Sequence, residues 1–357
     1  MNLDALRKFA DIVGAGAWRG DSAMRDLHRT VNIAPTPRTV VYDERAFELY
    51  HFAPTGTPRL DAPPVLLVPS LINRWYVLDL MPDHSTVAAL AAQGLRVYVM
   101  AWRGAHDGMG PQRLPAYVDG YIDRAVQMVC GHARAPKVTL VGQCLGGTLA
   151  VAYTATRPER VDRLVALTTP VDFAQGGLLG TWADREVVDV SAMTAAHPGV
   201  LPDRVVYGAF PLLNPRALVT KHRVLLQMVE NADYVKLYQA LDLWTTEHLP
   251  VGSGAFASLL EDLYQGNRLV EGTWRFERGP ARLSDITCPV MSILAKRDEI
   301  VPLASAKPLL GLTRSTHPVE FVSPVGHITL VVGTPLRYQT WQALADFCLQ
   351  ETSHARR

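Results

Sequence analysis

The run at 137–153, KVTLVGQCLGGTLAVAY, constrains this chain more than any other. An apolar, β-branched strand pattern enters Gly142-Gln143-Cys144-Leu145-Gly146-Gly147, and an Ala-rich helical pattern follows. A strand–turn–helix of this kind strains its central residue, so the residues two positions away must lack side chains for strand and helix to approach. The turn lifts the Cys144 sulfur above a sheet, and the helix N-terminus favours the thiolate. It also aims the N–H of Leu145 at the carbonyl oxygen under attack, which makes that group half of an oxyanion hole. Alone, G-x-C-x-G would equally describe a buried cysteine in a Gly-rich packing turn. Its partners decide between the two.

Those partners come later in the chain. The strand pattern VMSILA ends in Lys296-Arg297-Asp298-Glu299, and VEFVS ends in Pro324-Val325-Gly326-His327. Asp298 and His327 therefore each lie just past a strand's carboxyl end, where the active sites of open α/β sheets gather. The order nucleophile, acid, histidine is that of the α/β-hydrolase fold. In this reading Cys144 is the nucleophile, His327 the base and Asp298 the residue that orients it. The loop at 69–73, Pro-Ser-Leu-Ile-Asn, supplies the second oxyanion donor, with the backbone N–H of Leu71 or Ile72 as candidates.

Strand-like runs occur at 38–42, 47–52, 65–69, 96–101, 137–141, 163–168, 290–294 and 319–322, with helical patterns at 117–130, 145–155 and 336–349. Two early strands followed by alternating strand and helix predict an α/β fold, a mainly parallel sheet flanked by helices. The alternation stops at 173–286, a stretch rich in Leu and Trp, which reads as a helical cap or lid inserted before the last strands. The expected organisation is thus an N-terminal helical segment at 1–36, a core at 37–172 and 287–357, and the cap at 173–286. Within the cap, Trp244 and its Leu-rich neighbours could form a dry wall over the site or equally serve only as packing.

Composition serves mainly to exclude. At 357 residues the chain can bury a large core, and a formal charge of +1 gives no electrostatic case for a nucleic-acid partner. Cys130, Cys144, Cys288 and Cys348 are far apart, with no metal-knuckle spacing, so neither a metal site nor a disulfide framework is expected. A reducing cytoplasm fits that pattern. The first residues contain Asp4 and Asp11 and no uninterrupted apolar stretch, which argues against a signal peptide. Leu3, Leu6, Phe9 and Val13 recur at helical spacing and predict a short amphipathic helix. No run is long and apolar enough to predict a membrane span.

Six segments together resemble the poly(3-hydroxyalkanoate) synthases, particularly the short catalytic subunit of the class III enzymes. They are VPSLINRWYVLDL at 68–80, YVDGYIDRAVQMV at 117–129, GQCLGGTLAVAY at 142–153, TTPVDF at 168–173, RDEIVP at 297–302 and VGHITLVVG at 325–333. The resemblance implies a Cys144, Asp298 and His327 triad under a cap. It further implies a 3-hydroxyacyl-CoA substrate, a growing polyester product, and no cofactor beyond the coenzyme A thioester itself. It also implies a second synthase subunit, a homo-oligomer, and a cytoplasmic location at the surface of polyester granules. The chain departs from the family at Glu299, where a His is usual, at the 69–73 loop, and at Ala101-Trp102, where D-W is common. The alternatives are an esterase, thioesterase or polyester depolymerase with a Cys nucleophile, and a non-catalytic granule protein.

Overall fold

The computed structural model describes residues 3–17, 30–106, 108–332 and 336–350. Eight strands form the main sheet: β1 (Thr39–Asp43), β2 (Phe47–Phe52), β3 (Val65–Val68), β4 (Val97–Trp102), β5 (Val138–Gln143), β6 (Val161–Leu167), β7 (Val290–Ala295) and β8 (Pro318–Ser323). Their spatial order is β1-β2-β4-β3-β5-β6-β7-β8. Strands β1 and β2 pair antiparallel, as do β2 and β4, and every other pairing is parallel. The expected mainly parallel sheet is therefore present, with strand ends within two residues of those read from the sequence.

Every residue of β3, β4, β5 and β7 is buried, as strands covered on both faces require. Alternate side chains feed two separate cores. Leu66, Leu140 and Leu164 join helices Asp123–Ala133 and Leu145–Thr156 on one face. Leu67, Val141 and Val165 meet helices Thr86–Ala92 and Leu336–Leu349 on the other. Edge strand β8 instead alternates between exposed and part-buried positions until its last residue.

Between β6 and β7 the chain carries a run of helices, the longest being Pro215–Met228 and Ala232–Thr246, and a two-stranded hairpin of Arg275–Phe276 with Gly279–Pro280. Helix Leu3–Ala17 lies against the two longest. Its Lys8 pairs with Glu230 at 2.6 Å, and the Phe9 ring stands edge-on to His222. The remainder of the 1–36 segment is described only from residue 30. There Thr36 donates through both its N–H and its hydroxyl to the buried Asp79 carboxylate, which also accepts from Ser85.

Contact between β5 and the helix that follows it sets the position of the site. A Cβ on Gly142 would lie 2.4 Å from the Gly147 Cα, and one on Gly146 would lie 2.3 Å from the Val68 carbonyl oxygen. The obstacles are backbone atoms of the neighbouring strand and helix, which cannot rotate away. Gly146→Ala should therefore destabilise the protein by about 2 kcal/mol or more, the usual cost of overpacking a closed core. A urea unfolding midpoint equal to that of the wild type would contradict this.

Candidate active site

Cys144 caps the helix Leu145–Thr156 at φ +53° and ψ −128°, a conformation L side chains rarely adopt. Such strain costs on the order of 1–3 kcal/mol and persists only when its surroundings fix it. Here the Cys144 N–H donates to the Leu167 carbonyl at 2.9 Å, and the Cys144 carbonyl accepts from Gly147 at 2.9 Å. Leu145 is the first residue of the helix, so its N–H has no partner inside it. The helix dipole places partial positive charge there.

The loop after β3 rests against this turn, because Gly146 abuts Val68 and Pro69. Trp102 Nε1 donates to the Pro69 carbonyl at 3.1 Å. The Ile72 carbonyl accepts from the Leu249 N–H at 3.2 Å and the Tyr207 hydroxyl at 2.6 Å. The carbonyls of the loop are thus engaged from the sheet at Pro69 and from the helical insertion at Ile72, which holds the loop backbone on both sides of Leu71. Of the two readings open for Trp244, dry wall or packing, the structure shows packing. Trp244 donates to the Arg74 carbonyl at 2.8 Å and packs in the core beneath residues 75–81. Cys144 packs against a small apolar cluster of Leu294, Val301 and Ala306, which Ile300 and Leu303 also flank.

Asp298 lies in the loop after β7 and His327 opens helix His327–Val332, just after β8. One oxygen of Asp298 accepts from the N–H groups of Ile300 and Val301 at 2.9 and 2.8 Å. The other is 2.6 Å from His327 Nδ1. A carboxylate held by its own loop cannot swing away, so it sets the ring's orientation. Arg297 laces the two loops together through Nε to the Pro324 carbonyl at 2.7 Å and N–H to the Val325 carbonyl at 2.9 Å. With Nδ1 on Asp298, the ring keeps its other nitrogen free, and Cys144 lies near enough for its charge to act on the imidazole. The three residues read from the sequence are thus brought together, with Leu145 beside them.

Burial alone would lower the His327 pKa, but the negative charges of Cys144 and Asp298 outweigh it and push the pKa from 6.5 up to about 10. The remaining cysteines contrast with Cys144. Burial raises the thiols of Cys288 and Cys348 to about 12 and that of Cys130 less far, and all four cysteines are free. His317 is exposed at the start of β8, its ring parallel to that of Phe347. Glu299, beside Asp298, accepts from the cap residue Asn214 at 2.5 Å. Among the described residues no cluster of His, Cys, Asp and Glu could hold a metal ion, and no helix is long and apolar enough to cross a membrane. One neighbour of Cys144 went unread in the sequence. Tyr264, from the cap, comes close enough to feel its charge, and no motif around LLEDLYQGN signals it.

A pKa raised on folding adds stability that is complete below the unfolded value and lost as pH climbs through the folded one. The stability of the wild type relative to Asp298→Asn should therefore be greatest near pH 6 and narrow towards pH 10. The narrowing should be at least about 1.4 kcal/mol, the worth of one pKa unit. Urea unfolding across that range measures it, and a gap independent of pH would contradict the pairing.

Residues 63–334 match the family model of the alpha/beta hydrolase fold, and residues 19–90 match that of the poly-beta-hydroxybutyrate polymerase (PhaC) N-terminus. A poly(3-hydroxyalkanoate) polymerase subunit PhaC of Allochromatium vinosum is 32% identical over 320 residues, covering 89% of this chain and 89% of its own. The subunit of the same name from Haloferax mediterranei is 31% identical over 331 residues, covering 91% of this chain and 67% of its own. Among solved structures, a monoacylglycerol lipase of Paleococcus ferrophilus superposes with a TM-score of 0.53 at 17% identity, over 85% of this chain and 98% of its own. That likeness speaks for the fold. With its sheet order, its elbow and relatives this similar over most of their length, the chain belongs to the poly(3-hydroxyalkanoate) polymerase family of the α/β-hydrolase fold.

Proposed function

We propose that this chain polymerises 3-hydroxyacyl-CoA into a polyester, releasing coenzyme A, through a thioester on Cys144. The observation that carries the reading is a thiol, in place of the usual hydroxyl, at a strained elbow beside a buried histidine that Asp298 holds at 2.6 Å. The Cys144 sulfur attacks the carbonyl carbon of the substrate thioester, and the carbonyl electrons collapse to expel the coenzyme A thiolate. That thiolate takes the proton from His327. The N–H of Leu145, with that of Leu71 or Ile72, stabilises the oxyanion formed on the way. Exchange between two thioesters is nearly isoenergetic, so the acyl group stays activated for a second acceptor. No further cofactor enters the scheme, because coenzyme A arrives and leaves as part of the substrate.

Acylation also resets the base. One of the two charges that raise the His327 pKa is the Cys144 thiolate, and the thioester removes it. The neutral imidazole that remains can take the proton of an incoming 3-hydroxyl as its oxygen attacks the thioester carbonyl. Cys144 then leaves as thiolate and the cycle closes. The apolar packing of Leu294, Val301, Ile300 and Leu303 around the sulfur supports transfer over hydrolysis, since it keeps water from the thioester. In this reading the chain works with a second synthase subunit, in a homo-oligomer, at polyester granules in the cytoplasm. That relatives are named as polymerase subunits supports the first of these. The isolated chain should then elongate only after a lag, and immediate full activity would contradict the need for a partner.

His327→Gln should slow elongation by about a hundredfold or more, within the range of general base catalysis, and slow the first acylation less. The thiol has help from the helix N-terminus, whereas the second substrate's hydroxyl has only the base. Rapid-quench measurement of the coenzyme A burst against polymer growth separates the two steps. Equal losses in both would contradict the proposed role in elongation, and free acid in place of polymer from the wild type would make the protein a thioesterase.

A further inference from the structure

Tyr264 closes the π-turn Leu259–Tyr264, which extends helix Ser253–Ser258 by one wide turn. Such turns are rare and occur frequently at functional sites. This one is pinned from below. The buried Asp262 accepts from the Ser258 hydroxyl at 2.6 Å and from Arg113 at 3.0 Å, and pairs with Arg268 at 2.8 Å. Arg113 also holds Glu261 at 2.7 Å. Beyond the turn, Asn267 accepts from the Phe173 N–H at 3.0 Å and donates to Asp172 at 2.9 Å, which ties the segment to the loop after β6. The Tyr264 ring meets Phe173 edge-on at 5.0 Å. A Cβ on Gly176 would come within 2.8 Å of it, so the ring has little room to move.

The phenol therefore sits at the carboxyl end of β6, beside the strand that delivers Cys144. Burial, with the charge of Cys144 behind it, raises its pKa and keeps it a hydrogen-bond donor. Tyr264 is part-buried, and no hydrogen bond from its hydroxyl to another described residue occupies it, which leaves the group available to a ligand. It stands on the β6 and β7 side of the nucleophile, while the oxyanion loop follows β3 on the other side. Its position suits an oxygen carried on the acyl group rather than the oxyanion itself.

We propose that Tyr264 is a specificity-determining residue whose hydroxyl donates to the 3-hydroxyl oxygen of the acyl group entering Cys144. This rests on the polymerase reading above. The π-turn and its two arginines act as positioning elements, and the recognised feature is the oxygen that separates a 3-hydroxyacyl thioester from a plain acyl thioester.

Tyr264→Phe keeps the ring and its contact with Phe173, so its melting temperature should match that of the wild type. The test is the rate of first coenzyme A release from 3-hydroxybutyryl-CoA and from butyryl-CoA at subsaturating concentrations. The wild type should prefer the hydroxylated substrate by about tenfold or more, the worth of one good hydrogen bond. The variant should lose about tenfold on 3-hydroxybutyryl-CoA and stay within about twofold on butyryl-CoA. Parity between substrates in the wild type, equal losses on both, or no loss on either would overturn the proposal while leaving the polymerase reading intact. Absence of any release from 3-hydroxybutyryl-CoA by the wild type would overturn both.

Discussion

The approach of one strand to one helix governs the rest of this molecule. Where β5 turns into helix Leu145–Thr156, the backbones come so close that only glycines fit at 142 and 146, and Cys144 is left at φ +53°. That strained residue is held by main-chain bonds to β6 and to its own helix, so its sulfur has little freedom to move. The same approach presses Pro69 and its loop against the helix, which brings Leu71 and Ile72 beside the elbow. A defect in this contact would displace Cys144 and the loop of Leu71 and Ile72 at once.

Around that fixed point, electrostatics divides the labour. Asp298 spends one oxygen on its own loop and the other on His327, so the acid cannot rotate and the ring cannot flip. The charges of Cys144 and Asp298 together raise the His327 pKa against burial, and in the proposed cycle the first is lost when the thiol is acylated. A serine at the elbow would offer no second anion at neutral pH, because an alkoxide is far harder to form. The choice of sulfur thus changes the state of the histidine as well as the leaving-group chemistry.

Much of this was legible in the sequence because it rests on local rules. Strands buried on both faces read as continuous apolar runs, and all eight emerged close to their observed limits. The elbow, Asp298 and His327 each sit beside a strand end, so order along the chain sufficed to bring them together. The sequence leaves Trp244 open between a wall over the site and core packing, because burial is not direction. A large apolar residue in a cap helix packs wherever the fold leaves space, and this one fills the core under residues 75–81. Tyr264 was missed for the complementary reason. Its place depends on a π-turn and on the pairing of the buried Asp262 with Arg113, 149 positions earlier in the chain, and with Arg268. No periodicity in a single sequence records those pairings.

The central claim is that the acyl group travels through sulfur at Cys144. Brief incubation with 3-hydroxybutyryl-CoA, acid quenching and peptide mass spectrometry would test it most directly. The account predicts a 3-hydroxybutyryl adduct on the peptide carrying Cys144, removed by neutral hydroxylamine as a thioester should be. An adduct on any other residue, or one resistant to hydroxylamine, would contradict it.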